Sequence, residues 1–313
     1  MTKVVFMGTP DFAVPILEAL IQSPEYEVVG VVTQPDRPVG RKRILTSSPV
    51  KKLALKYDLP VLQPETMNDD NIQENLQQLN PDIMITAAFG QFLPKNVLEM
   101  AEYGVVNVHA SLLPKYRGGA PIHEAIIQGE KETGVTIMKT VSKMDAGDIL
   151  SQRAIPILLD DNVGTVFERL STLGRDLLLD TLPKYLHDEI MPIPQNEEEA
   201  TVAPNISRDR EVIDFDKTAE QVNNQVRGLN PWPVAHTMWA DKRLKIFKGE
   251  IVDKQYDEMP GTVVERNKNK VIIACKSGGY QLEEVQLAGK GRMNIQEFLN
   301  GSGQKMQVGD LLR

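Results

Sequence analysis

A single cysteine, Cys275, stands in the whole chain, so no intramolecular disulfide can form. With only four histidines beside it, the sequence also lacks the Cys/His sets that build structural metal centres, and no metal is expected. No apolar run reaches the roughly 18 residues of a membrane span. The opening MTKVVFMGTP reads as strand and turn, without the charged, apolar and small-residue succession of a signal peptide. A cytoplasmic protein with no membrane partner is the expectation. Missing too are the second and third glycines that would convert strand 3–7, Gly8-Thr9-Pro10 and the following helix into a dinucleotide fingerprint.

Positive charge is in short supply overall, with a formal net charge of −8, which on its face speaks against a nucleic-acid partner. The deficit is uneven. Residues 208–313 hold 17 basic and 15 acidic side chains against 18 and 28 before them, so the C-terminal part is mildly basic at +2 and the rest carries −10. A local patch can therefore still meet phosphate.

A length of 313 residues with 41% hydrophobic content suggests about two domains with buried cores. The β-rich runs KVVFM (3–7), EVVGVVT (27–33) and DIMITAAFG (82–90) suit a parallel sheet covered on both faces. Helices are predicted from Ser48-Pro49, near 70–79, over 121–128 with a structural His123, and over 163–187. Strands at 133–140 and 149–157 flank the turn at Asp145. The fold class is α/β: an N-terminal open, mostly parallel sheet with helices on both faces, then a small C-terminal β-barrel of OB type. Domain 1–190 is followed by a linker, 191–207, of Pro- and Glu-containing composition, and by domain 208–313. There RLKIFKGEIV, GTVVERN, KVIIAC and YQLEEVQLA read as short strands. Trp232 and Trp239 are assigned to its core.

The chemistry-bearing stretch is 105–150. Asn107 and His109 are two apart on a strand, leave the same face and stand at its C-terminal end, where open α/β sheets bind ligands. Asp145, in a Met-Asp-Ala-Gly-Asp turn, can bring a carboxylate to the same crevice. Each taken singly has an ordinary structural explanation: a hydrogen-bonded histidine, a capping asparagine, an Asx-turn. Together they suit acyl transfer without a metal or side-chain nucleophile. In that scheme His109 is general base, Asp145 fixes its tautomer and stabilises imidazolium, and Asn107 donates to a developing oxyanion. These residues alone stop at acyl or formyl transfer from an unknown donor.

The run NVHASLLPKYRGGAPI, with ETGVTIMK and MDAGDIL, resembles the signature of the folate-dependent formyltransferases. The likeness extends over nearly the whole chain and favours the bacterial-type branch that acts on initiator methionyl-tRNA. It implies that Asn107, His109 and Asp145 are catalytic and that 10-formyltetrahydrofolate is the co-substrate. It also implies that Ser111, Leu112, Leu113 and Pro114 form the folate-binding loop, and that Phe89, Gly90 and Leu93 rim the pterin. The long loop 34–48, QPDRPVGRKRILTSS, is basic and Pro/Gly-restricted; on composition alone it is either a solvated surface or a phosphate contact. The resemblance selects RNA contact by Arg37, Arg41, Lys42 and Arg43, joined by Lys290 and Arg292 of the second domain, and the loop is expected to be mobile without RNA. A monomer with no DNA partner is the expectation. Two rivals remain open: a formyltransferase or formyl-folate hydrolase acting on a small molecule, and a non-catalytic RNA-binding protein.

Overall fold

Strands covered on both faces need unbroken apolar runs, and the first half of the chain sets five of them side by side. The computed structural model describes residues 1–40 and 42–313. By contacts it falls into a first unit, Met1–Pro121 with Glu132–Pro156 and Phe167–Pro204, and a second, Ile122–Lys131 with Ile157–Val166 and Asn205–Arg313.

The first unit holds β1 (Thr2–Gly8), β2 (Tyr26–Val32), the short β3 (Arg37–Val39) and β4 (Ile44–Thr46), β5 (Val61–Leu62), β6 (Ile83–Ala87), β7 (Val105–His109), β8 (Glu132–Lys139) and β9 (Ile149–Pro156). Seven of these form one sheet in the order β5-β2-β1-β6-β7-β8-β9; β7–β8 and β8–β9 are antiparallel and the other pairs parallel. The chain builds outward from β1 and then returns to the other side of β1 with β6. This reversal opens a crevice beyond the C-terminal ends of β1 and β6.

Helices α1 (Val14–Gln22), α2 (Pro49–Lys56), α3 (Asp70–Leu79) and α4 (Lys95–Leu98) pack in this unit, α5 (Pro121–Ile127) lies mainly in the second, and α6 (Val163–Leu186) runs on to the sheet. Ser48 Oγ accepts from the Lys51 amide at 3.0 Å with Pro49 behind it, so α2 starts as its sequence predicts. Leu76 and Val97 join Val5, Met7, Met84 and Val105 on one face. On the other, Gly174 of α6 approaches Val108 and Val135 so closely that an added Cβ would lie 2.8 Å from the Val108 side chain.

In the second unit, α7 (Ala219–Gly228) and α8 (Ile295–Asn300) accompany β10 (His236–Trp239), β11 (Lys242–Val252), β12 (Val263–Arg266), β13 (Val271–Ala274), β14 (Gly279–Leu287) and β15 (Met293–Asn294). The antiparallel order is β10-β11-β14-β13-β12, with β15 beside β14. The C-terminal tail reaches both outer strands: Val263 N donates to Asp310 O and Gly309 N to Val263 O on one side, and Met238 and Arg313 exchange bonds on the other. This OB-like half-barrel is therefore completed by tail residues that carry no strand pattern of their own.

Two sequence expectations are corrected. Trp239 is buried, its ring edge-on to Phe298 and its Nε1 donating to Asp310, but Trp232 is 42% exposed and packs edge-on to His123. The stretch 34–48 contains the β3–β4 ribbon instead of loop alone. By contacts, residues 122–131 and 157–166 group with the second unit and 191–204 with the first, where the sequence suggests cuts at 190 and 207. Among the described residues no helix is long and apolar enough to cross a membrane.

Candidate active site

Side chains alternate along β7, so Val106 and Val108 enter the core while Asn107 and His109 leave the opposite face at the strand's end. The neighbouring strand orients the first of them. Thr86 Oγ1 of β6 donates to Asn107 Oδ1 at 2.8 Å, which consumes the acceptor end of the amide and leaves Nδ2 to donate outward.

His109 is 6% exposed, and its Nε2 stands 3.0 Å from the carbonyl oxygen of Tyr116. A carbonyl can only accept, so Nε2 carries the proton and Nδ1 is the basic nitrogen. Asp145 Oδ1 faces Nδ1 at 3.7 Å, too long for a hydrogen bond yet close enough to pair with imidazolium. The expected tautomer control by Asp145 is thus corrected: Tyr116 exerts it, and Asp145 faces the charge.

Asp145 sits in left-handed backbone at φ 49°, which aspartate tolerates better than most residues. Its Oδ2 accepts from the Gly118 amide at 2.8 Å. Gly118 lies so near the Ala203 carbonyl that a Cβ would come within 2.7 Å of it. Two further groups hold this corner, and sequence reasoning missed both. Gln195 Nε2 donates to the carbonyls of Asp145 (2.8 Å) and Gly147 (2.7 Å), and its Oε1 accepts from Arg117 Nε and Nη2 at 3.0 and 2.8 Å. Arg117, 5% exposed, also grips both carboxylate oxygens of Glu197. Hydrogen bonds from Arg117 and Lys143 depress the Glu197 carboxyl to about 2. Arg117 lies within the RGGAPI motif, but Gln195 had no sequence signal.

The loop 111–114 is rigidly tied. Ser111 Oγ is fully buried and donates to the Lys115 carbonyl. Thr136 bonds Ser111 O and Leu113 N, and Gln152 bonds Leu113 O. Leu113 is buried with Met138 and Ile149, while Leu112 and Pro114 are half-buried. Phe89 does not line the rim with its ring, which is 4% exposed among Val5, Met7 and Val97; only its backbone can face a ligand, and its carbonyl already accepts from Thr9 and Gln34. Gly90 is exposed at φ 84°, and Leu93 packs partly against the same core.

The basic residues divide. Lys42 and Arg43 are exposed on the turn joining β3 to β4, beside exposed Val39, Ile44 and Leu45; Arg41 lies outside the described residues. Arg37 is paired through two nitrogens with Glu65. In the second unit Lys290 is exposed, whereas Arg292 pairs with Glu284 and stacks 4.3 Å over the Phe247 ring. Neither Arg37 nor Arg292 therefore presents an unpaired charge, although exposed pairs of this kind are weak and exchange readily.

Residues 2–182 match the formyl transferase family model, and 205–303 match that for the formyl transferase C-terminal domain. The methionyl-tRNA formyltransferase of Enterococcus faecalis is 57% identical over 311 residues, and that of Streptococcus gordonii 53% over 310, with 99% of both chains covered in each case. The structure of methionyl-tRNA formyltransferase from Clostridium thermocellum superposes with a TM-score of 0.57 at 16% identity, covering 93% of this chain and 100% of that one. An N-formyltransferase from Helicobacter canadensis, in complex with folinic acid and dTDP-3-aminofucose, gives 0.68 at 20%, covering 90% and 98%. At such identities the structural likenesses establish the fold.

Proposed function

The chain belongs to the formyl transferase family, and from that premise we propose that it moves a formyl group from 10-formyltetrahydrofolate to the α-amine of methionine on initiator methionyl-tRNA. One observation carries the reading: Asn107, His109 and Asp145 converge at one strand end, in a chain matched end to end by relatives named for this reaction.

The α-amine has an ordinary pKa of about 8 and needs only to lose a proton to attack, so no covalent enzyme intermediate is required. The ammonium proton goes to water, and His109 Nδ1 accepts the second proton, which the attacking nitrogen sheds as it bonds the formyl carbon, while Tyr116 holds Nε2 and Asp145 Oδ1 faces the resulting imidazolium. Asn107 Nδ2 donates to the formyl oxygen as it gains charge. His109 then returns the proton to the departing nitrogen, leaving His109 neutral and every atom accounted for.

The residues at the strand ends suit a folate. Ala88 and Gly90, at φ 46° and 84°, leave the backbone of 88–90 clear of bulky side chains for the hydrogen-bonding edge of a pterin. The folate's contribution is a formyl group carried on nitrogen. For the tRNA, Lys42 and Arg43 supply exposed charge beside the apolar ribbon, and Arg41 adjoins them in sequence.

Formyl transfer from 10-formyltetrahydrofolate to methionyl initiator tRNA tests the reading, with methionyl elongator tRNA and free methionine alongside. Rapid product on the initiator alone is expected. Donor consumption with no tRNA product would instead support a small-molecule transferase or a hydrolase.

Replacing Lys42 and Arg43 together by alanine should raise KM for tRNA and leave KM for folate unchanged. The slope of log(kcat/KM) against log salt should flatten by up to roughly one per lost phosphate contact. A parallel rise in folate KM would refute this division of labour.

A further inference from the structure

The stretch 191–204 has linker composition, yet it is stitched into the first unit at both ends. Ile193 exchanges backbone bonds with Ile149, and Val202 bridges to Arg117 through Arg117 N to Thr201 O and Ala203 N to Arg117 O. Between these stitches lies Gln195, and its amide has no spare valence. Both N–H groups go to the carbonyls of Asp145 and Gly147, and the oxygen takes two donors from Arg117. The amide cannot turn over. A flipped oxygen would oppose two carbonyls, and the flipped NH₂ would oppose a guanidinium.

The two carbonyls it holds bracket Ala146 in the turn that presents the Asp145 side chain. Asp145 has φ 49°, and its carboxylate is aimed by the Gly118 amide on one side of the same corner. Gly118 is itself next to Arg117, so a single unit of Arg117 and Gln195 fixes both the carboxylate's hydrogen-bond donor and the backbone that carries it. We propose that Gln195, oriented by Arg117, is a positioning residue for catalysis: it sets the distance between Asp145 and His109 Nδ1 without touching either substrate. This inference rests on the roles given above to Asp145 and His109.

Gln195→Glu separates positioning from packing. It keeps the shape and a favourable acceptor for Arg117, but it turns a donor pair facing two carbonyls into a carboxylate that repels them. In the full-length enzyme kcat should fall about 10- to 100-fold, as expected for a catalytic group misplaced by up to 1 Å. Both KM values should stay within roughly twofold, and the thermal midpoint should fall less than in Gln195→Met because Arg117 keeps its acceptor. Gln195→Met, which keeps volume and loses all four hydrogen bonds, should lower kcat and the midpoint together.

The decisive readout is coupling. If Gln195 acts through Asp145, the double variant Q195E/D145N should be no slower than D145N, whereas independent roles would multiply the losses. Wild-type kcat in Q195E, multiplied losses in the double variant, or a midpoint that falls in step with kcat in Q195E would each overturn the proposal while leaving the site reading intact. Wild-type activity in D145N would overturn that reading and the proposal with it.

Discussion

His109→Gln should lower kcat by about 10²- to 10⁴-fold in an enzyme that still folds, the range typical of losing a positioned general base. Glutamine is the informative replacement because its amide nitrogen reaches near the position of Nε2 and can keep the Tyr116 carbonyl satisfied. What it removes is a basic nitrogen at the Nδ1 position, facing Asp145 at 3.7 Å. His109→Ala removes both, and the lost packing and the lost hydrogen bond to the Tyr116 carbonyl confound the rate effect. Single-turnover formylation with saturating methionyl-tRNA isolates the step concerned. A glutamine variant within threefold of wild type would show that the amine loses its proton elsewhere. Asn107→Ala should fall by about 10²–10³, the usual effect of one oxyanion donor.

What made this site legible was period and place. Alternation along VVNVH put Asn107 and His109 on one face, and the parallel runs put that face at strand ends, where the structure has them. The Asp145 turn was legible from its Met-Asp-Ala-Gly-Asp composition. The tautomer of His109 was not, because it depends on a backbone carbonyl seven residues away that any residue type would supply. Gln195 was hidden for a related reason: side chains that bond to backbone leave no periodicity, and the surrounding prolines and glutamates imitate a connector. The same blindness applies to the tail. Gly309–Arg313 completes the half-barrel through main-chain bonds that its side chains do not announce. Phe89 shows the converse ambiguity, since its apolar ring suits a ligand rim and a core equally, and the packing of β1 and α4 around it puts the ring in the core and leaves only its backbone to face a ligand.

Gly147→Ala should damage catalysis nearly as much, although Gly147 touches no substrate. A Cβ there would lie 1.8 Å from the Lys139 carbonyl oxygen and 2.8 Å from its carbon, both of them backbone atoms. The end of β8 cannot yield cheaply, because Lys139 N also bonds Asp148 O at 2.9 Å and the strand is paired on both sides. The turn must therefore move by well over 1 Å to restore an ordinary contact, and Asp145 moves with it. Overpacking of this kind destabilises by about 1–3 kcal/mol. A displacement of that size at a catalytic group lowers the rate about 10²-fold. Gly291→Ala is the control, since nothing lies within 4 Å of a Cβ there, and it should be neutral in both respects. Thermal midpoint and kcat measured on the two variants separate the effects. A destabilised Gly147→Ala enzyme with wild-type kcat would mean that His109 tolerates a displaced carboxylate, and that Asp145 acts only as a diffuse negative charge near the imidazolium.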